Sequence, residues 1–115
     1  MNTQTGSRDW LIFNAEELMS KVAGSEARIF EFLRVPSLSV SIYRLPAGSR
    51  DMQAPHMEDE VYYVVEGRAW LKVEDRVHEI KPGSVLYVRA TAAHSFFDIE
   101  EDLTVLAFFG SSQQR

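Results

Sequence analysis

The spacing of apolar runs constrains this chain more than any other feature. From Arg28 onward, short runs rich in Val, Ile, Tyr and Phe recur at roughly ten-residue intervals, with Pro and Gly between several of them. No helical period survives in this region. Strands are expected at Arg28–Leu33, Leu38–Leu45, Val61–Val65, Ala69–Val73, Val77–Ile80, Val85–Val88, His94–Ile99 and Thr104–Phe109. Pro46-Ala47-Gly48 and Lys81-Pro82-Gly83 read as turns, because Pro presets φ while Gly tolerates positive φ. Gly67 reads as the left-handed residue of a tight hairpin, and Glu74-Asp75-Arg76 as a polar hairpin tip. The segments at 61–65 and 104–109 are apolar on both faces, which suits strands lining an interior on one side and covered on the other. The pattern is that of an all-β sandwich or barrel.

One helix precedes the strands. Asn14 is a good N-cap, Glu17 can return a bond to its backbone, and Leu18 and Val22 share a face. Phe13 is placed to staple the entry, and the helix should stop near Gly24. Residues 1–8 read as a flexible start, 9–110 as one domain and 111–115 as a tail.

Size and charge narrow the function. A chain of 115 residues buries roughly two thirds of its surface on folding, and 45% apolar content can supply that core. The net charge is −5 with no basic cluster, which argues against nucleic acid and anionic membranes as partners. Cysteine is absent, so any metal must be held by nitrogen and oxygen. The longest uncharged stretch, Leu103 to Gln114, is 12 residues, too short to span a bilayer. No apolar leader opens the chain, so a cytoplasmic location is expected.

There are three histidines. His78 sits in a short hairpin strand and reads as solvated. His56 and Glu60 would stand about 13 Å apart on a straight strand, too far to share an ion. If Met57-Glu58-Asp59 turns instead, the two can face each other across adjacent strands with Cβ atoms about 5 Å apart. Glu58 and Asp59 then read as a solvated turn. A third ligand must come from a distant strand, and His94 is the other histidine beside an apolar strand.

These positions carry a resemblance. Gly48, Pro55, His56, Glu60 and Gly67, followed by Gly83, His94 and Asp98, fall at the spacings of the two motifs of the cupin superfamily. The gap of 15 residues between Gly67 and Gly83 matches small microbial cupins. Ala54 stands where the first motif has its first histidine, and Arg89, Thr91 and Asp98 replace the usual Pro, Gly and Asn. The resemblance implies an antiparallel double-sheet β-barrel of jelly-roll type with one short N-terminal helix, pairing into a homodimer. It also implies His56, Glu60 and His94 as ligands of a divalent ion. Two imidazoles and a carboxylate on one side suit Fe(II), and are compatible with Mn, Co, Ni or Zn.

Strand parity sends Tyr62 with Glu60 and Phe96 with His94, so both are candidates to wall a substrate pocket or to fill the core. Asp98 could orient a ligand imidazole, and Gln53 could support the site through its carbonyl. The functional expectation is a metal-dependent enzyme acting on a small oxygen-rich or aromatic molecule, of dioxygenase, isomerase or lyase type. A non-catalytic ligand-binding or sensing barrel, with or without metal, is the alternative.

Overall fold

The computed structural model describes residues 4–5, 9–51 and 56–110. Gln53 and Ala54 lie outside the described residues. The elements run β1 (Gln4–Thr5), α1 (Ala15–Lys21), β2 (Arg28–Val35), β3 (Leu38–Leu45), β4 (Glu60–Val73), β5 (Arg76–Ile80), β6 (Val85–Val88) and β7 (His94–Gly110). The strand order is β1-β2-β3-β7-β4-β5, with β6 pairing β4, and every pairing except β1 with β2 is antiparallel. Gln4–Thr5 thus forms a short edge strand where the sequence suggested a flexible start. Among the described residues, no helix is long and apolar enough to cross a membrane.

α1 forms where its caps place it. The Asn14 side chain accepts hydrogen bonds from the Glu16 and Glu17 backbone amides at 2.9 and 3.3 Å, satisfying two amide donors of the first turn. Phe13 packs edge-on against Phe32 at 4.9 Å, while Leu18 and Val22 are buried. These residues cover Phe32, Val40 and Ile42 on the outer face of β2 and β3. Alternate residues of β3, Tyr43 and Leu45, point the other way into the barrel, where they join Tyr62, Val64, Leu71, Phe96, Leu103 and Val105.

Two corrections to the sequence reading define the barrel. The strands expected on either side of Gly67 are one continuous strand, β4, and those expected at His94–Ile99 and Thr104–Phe109 are one continuous β7. Gly67 makes no hairpin. It sits in a stretch of β4 where the register with β7 shifts three times between Val64 and Trp70. Its φ is +99°, and a Cβ there would strike the Asp102 carbonyl oxygen and lie 2.6 Å from Leu103 Cα. Repeated bulges bend and twist a two-stranded ribbon. This ribbon pairs Glu60 with Phe109 at one end and Val73 with His94 at the other. A straight β4 would hold those ends roughly 40 Å apart. In the folded chain Glu60 and His94 touch, so the ribbon has closed on itself.

Candidate metal centre

Glu60 and His94 are buried, at 2% and 7% exposure, and His56 is half-buried. His94 Nε2 lies 2.9 Å from Glu60 Oε1. One ligand atom from each of His56, Glu60 and His94 lies within 4.8 Å of the others. Three residues separated in sequence therefore converge on one point.

Each is held there by its surroundings. β4 starts at Glu60, which is paired on both sides, with Val88 of β6 and Phe109 of β7. His94 opens β7 after the turn at Ala90–Thr91, and its Nδ1 lies 2.9 Å from the Ala92 carbonyl. A carbonyl can only accept, so Nδ1 carries the hydrogen and Nε2 is the nitrogen turned toward Glu60. The bend at Met57–Glu58 brings His56 back toward Glu60 as expected, but His56 lies in a loop and not in a strand. Its carbonyl accepts from the Thr91 amide at 2.7 Å, and its ring packs edge-on against Phe109 at 4.9 Å. Asp59 is no solvated turn residue. Its carboxylate accepts from the Ala90 amide at 2.7 Å and its carbonyl from the Gly110 amide at 2.9 Å, pinning the His56 loop to both neighbours.

The electrostatics are those of a site built around a positive charge. Glu60 Oε2 is buried, with no hydrogen-bond partner among the described residues. Leaving a buried carboxylate oxygen unsatisfied costs about 1–3 kcal/mol or more. The hydrogen bond to Glu60 is the main cause holding the His94 pKa above the ordinary histidine range, with burial opposing it. Tyr62 places its hydroxyl 3.0 Å from His94 Nε2. Burial first, and then the charge of Glu60, pushes the Tyr62 phenol far above its usual range, so it keeps its proton.

The residues fit a divalent ion. Two donors each about 2.1 Å from one ion and at right angles stand about 3 Å apart, and the His94–Glu60 contact already has that spacing. Glu60, His94 and His56 would hold such an ion, whose positive charge would compensate the buried carboxylate. Two nitrogens and one carboxylate suit Fe, Mn, Co, Ni and Zn.

Other sequence assignments fall differently. Tyr62 and Phe96 are both fully buried, with rings 5.1 Å apart and edge to face. Neither lines the cavity next to His56. Tyr62 reaches the centre through its hydroxyl, and Phe96 is core packing behind it. Asp98 is exposed, and the acceptor that orients His94 is the Ala92 carbonyl in its place. Asp51 went unnoticed in the sequence. Its carboxylate accepts from the Tyr43 hydroxyl at 2.8 Å and the Phe96 amide at 2.9 Å, tying the chain just before the His56 loop to the barrel. No local pattern marks such a residue, because the Phe96 amide it binds lies 45 positions away in sequence. His78 is exposed on β5, as expected.

A small antiparallel β-barrel that gathers two imidazoles and a carboxylate into one candidate metal site defines a barrel of cupin type. The chain belongs to the cupin family, with residues 41–109 matching the cupin domain. It is 44% identical over 97 residues to an uncharacterized protein of Streptomyces coelicolor, covering 84% of this chain and 92% of that one. An RmlC-like cupin with a double-stranded β-helix fold from Methanocaldococcus jannaschii superposes with a TM-score of 0.73 at 14% identity, over 95% of each chain. Salicylate 1,2-dioxygenase from Pseudoaminobacter salicylatoxidans also gives 0.73, at 13% identity, over 86% of this chain and 32% of that longer one. At such identities these two likenesses speak to fold alone.

Proposed function

We propose that this cupin holds one divalent metal ion through His56, Glu60 and His94 and acts on a small oxygen-rich molecule. The observation that carries this reading is the buried Glu60 carboxylate, with one oxygen lacking a partner among the described residues and the other against an imidazole nitrogen whose ring is fixed by the Ala92 carbonyl. A bound ion supplies Lewis acidity or, as Fe(II), oxygen activation. The protein's own share is positional and protic. Asp59 pins the His56 loop, the Ala92 carbonyl fixes the His94 ring, and Tyr62 keeps its proton 3.0 Å from His94 Nε2. The fold likeness to a dioxygenase makes oxygen chemistry the first reaction to test.

Metal content after reconstitution with Fe(II), Mn(II), Ni(II) or Zn(II) tests the reading. Wild-type protein should retain about one ion per chain, while His56→Ala and Glu60→Gln should lose it. Equally low content in all three proteins overturns the site. Oxygen uptake by the Fe(II) form with catechol-like or diketone substrates then separates an oxygenase from an isomerase or lyase.

One observation favours a second reading, a metal-free ligand-binding or sensing barrel. The Glu60–His94 pair is already complete as an ion pair when the imidazole is protonated. We also place the protein in the cytoplasm as a homodimer. Support for the dimer is the outer face of β6, β4 and β7, where Val61, Tyr63, Val85, Tyr87 and Phe108 stay exposed side by side.

A further inference from the structure

A cavity of about 350 Å³ adjoins the centre and shares His56 with it. Strands β2 and β3 contribute Ile29, Glu31, Arg34, Ser39 and Ser41, while the His56 loop and β7 contribute Glu58 and Phe109. Its polar wall is made by a bulge. In β2 the register moves from Glu31 opposite Ser41 to Leu33 opposite Val40, so one extra residue is inserted. Phe30, Phe32 and Leu33 all pack on the outer cluster. Beyond the bulge the parity is reversed, and Arg34 pairs with Ser39 on the same face as Glu31 with Ser41. Without that insertion Arg34 would point outward.

Ser39 and Ser41 hold core positions of a central strand, where Val or Ile would pack better. As residues they are 8% and 4% exposed, and both line the cavity. Ala107, a small residue, lies opposite Ser41. Two serines in a cavity wall offer hydroxyls that donate to and accept from a polar ligand.

Its charge can also be read. Arg34 is engaged on two sides by Glu31, with Nε at 3.1 Å and a terminal nitrogen at 2.6 Å from the two carboxylate oxygens. The fork that would grip a carboxylate or phosphate is thus already taken. Glu58 adds a second carboxylate to the lining, and together the two acids outnumber the one base, which disfavours an anion. Ile29 and Phe109 supply an apolar surface for C–H groups. Hydroxyl-binding groups on one part of the lining and apolar surface on another suit a sugar-like molecule.

We propose that this cavity binds an uncharged polyhydroxylated molecule of monosaccharide size, with one end reaching the point shared by His56, Glu60 and His94. The proposal rests on the metal-site reading for what happens at that end, whereas binding by the wall stands apart from it.

Titration of pentoses, hexoses and alditols into metal-free and metal-reconstituted protein, followed by calorimetry or ligand-observed NMR, tests it, with the matching aldonates as anionic controls. At least one neutral sugar or alditol should bind saturably and more tightly than its aldonate. Ser39→Ala and Ser41→Ala should each weaken it by roughly five- to tenfold, with metal content and melting temperature unchanged. Tighter binding of an aldonate, no saturable binding by any neutral compound, or binding indifferent to both serine substitutions overturns the proposal. Metal content measured on the same samples tells the two readings apart. Protein that takes no metal but binds a neutral sugar through Ser39 and Ser41 defeats the metal site and upholds the wall.

Discussion

Thr91 occupies a position whose backbone does not suit it. Its φ is +67°, where a β-branched side chain crowds its own backbone at a cost of about 1–2 kcal/mol. The cupin pattern has Gly in this slot, and the turn has kept the glycine conformation while losing the glycine. Its amide still holds the His56 carbonyl. Thr91→Gly should therefore raise stability by about 0.5–1 kcal/mol in denaturant unfolding, once the added freedom of the unfolded chain is counted. Asp98, in the slot of the usual Asn, has φ +46° and is better suited, because its short polar side chain tolerates that region. Asp102 shows a different constraint. The Ala47 amide and the Arg44 guanidinium, at 2.8 and 3.1 Å, hold its pKa below the usual aspartate value. A depressed folded-state pKa stabilises the fold above the unfolded value of about 3.9 and loses that contribution as pH falls through the folded one. The stability gap between wild type and Asp102→Asn should be constant near neutrality and shrink below about pH 4 in unfolding titrations. A gap that widens on acidification would contradict this.

At the scale of elements, β4 and β7 carry the fold because each serves both halves of the barrel. Their pairing shifts register between Val64 and Trp70, and Gly67 lies within that stretch. Gly67→Ala would drive a methyl group into the Asp102–Leu103 backbone and force a non-glycine residue to φ +99°. It should cost about 3 kcal/mol or more, read as a fall in the denaturant midpoint. It should also impair metal retention, since closure of the ribbon is what joins Glu60 to His94. Strand positions were legible because Val, Ile, Tyr and Phe mark them directly. Strand continuity was not. A glycine between two apolar runs signals a hairpin or a bulge equally well, and the choice depends on whether β7 offers a partner on both sides of it.

For the whole molecule, one apolar surface is buried within the chain and another is left open. The outer face of β2 and β3 is covered by α1, which buries Leu18 and Val22 against Phe32, Val40 and Ile42. Among the described residues none covers the outer face of β6, β4 and β7 in this way, and Val85 and Tyr87 are 67% and 65% exposed. If the proposed homodimer forms through this face, Val85→Lys with Tyr87→Glu should give monomer in light scattering while leaving the circular dichroism of the barrel intact. Monomeric wild-type protein at micromolar concentration would remove the dimer.

The division between sequence and structure follows from the range of the interactions. The helix with its Asn14 cap, the strand positions, the Pro-Gly turns and the candidate ligands His56, Glu60 and His94 were readable, because each rests on local residue chemistry or fixed spacing. Chain folding in three dimensions decided the rest. Closure of the β4–β7 ribbon brought Glu60 within 2.9 Å of His94, and the Ala92 carbonyl rather than Asp98 took the second imidazole nitrogen. A one-residue bulge in β2 turned Arg34 to the same face as Glu31, where sequence parity would have set them on opposite faces. Register and bulges are settled by pairing partners far away in the chain, so no local stretch of residues encodes which face a side chain finally occupies.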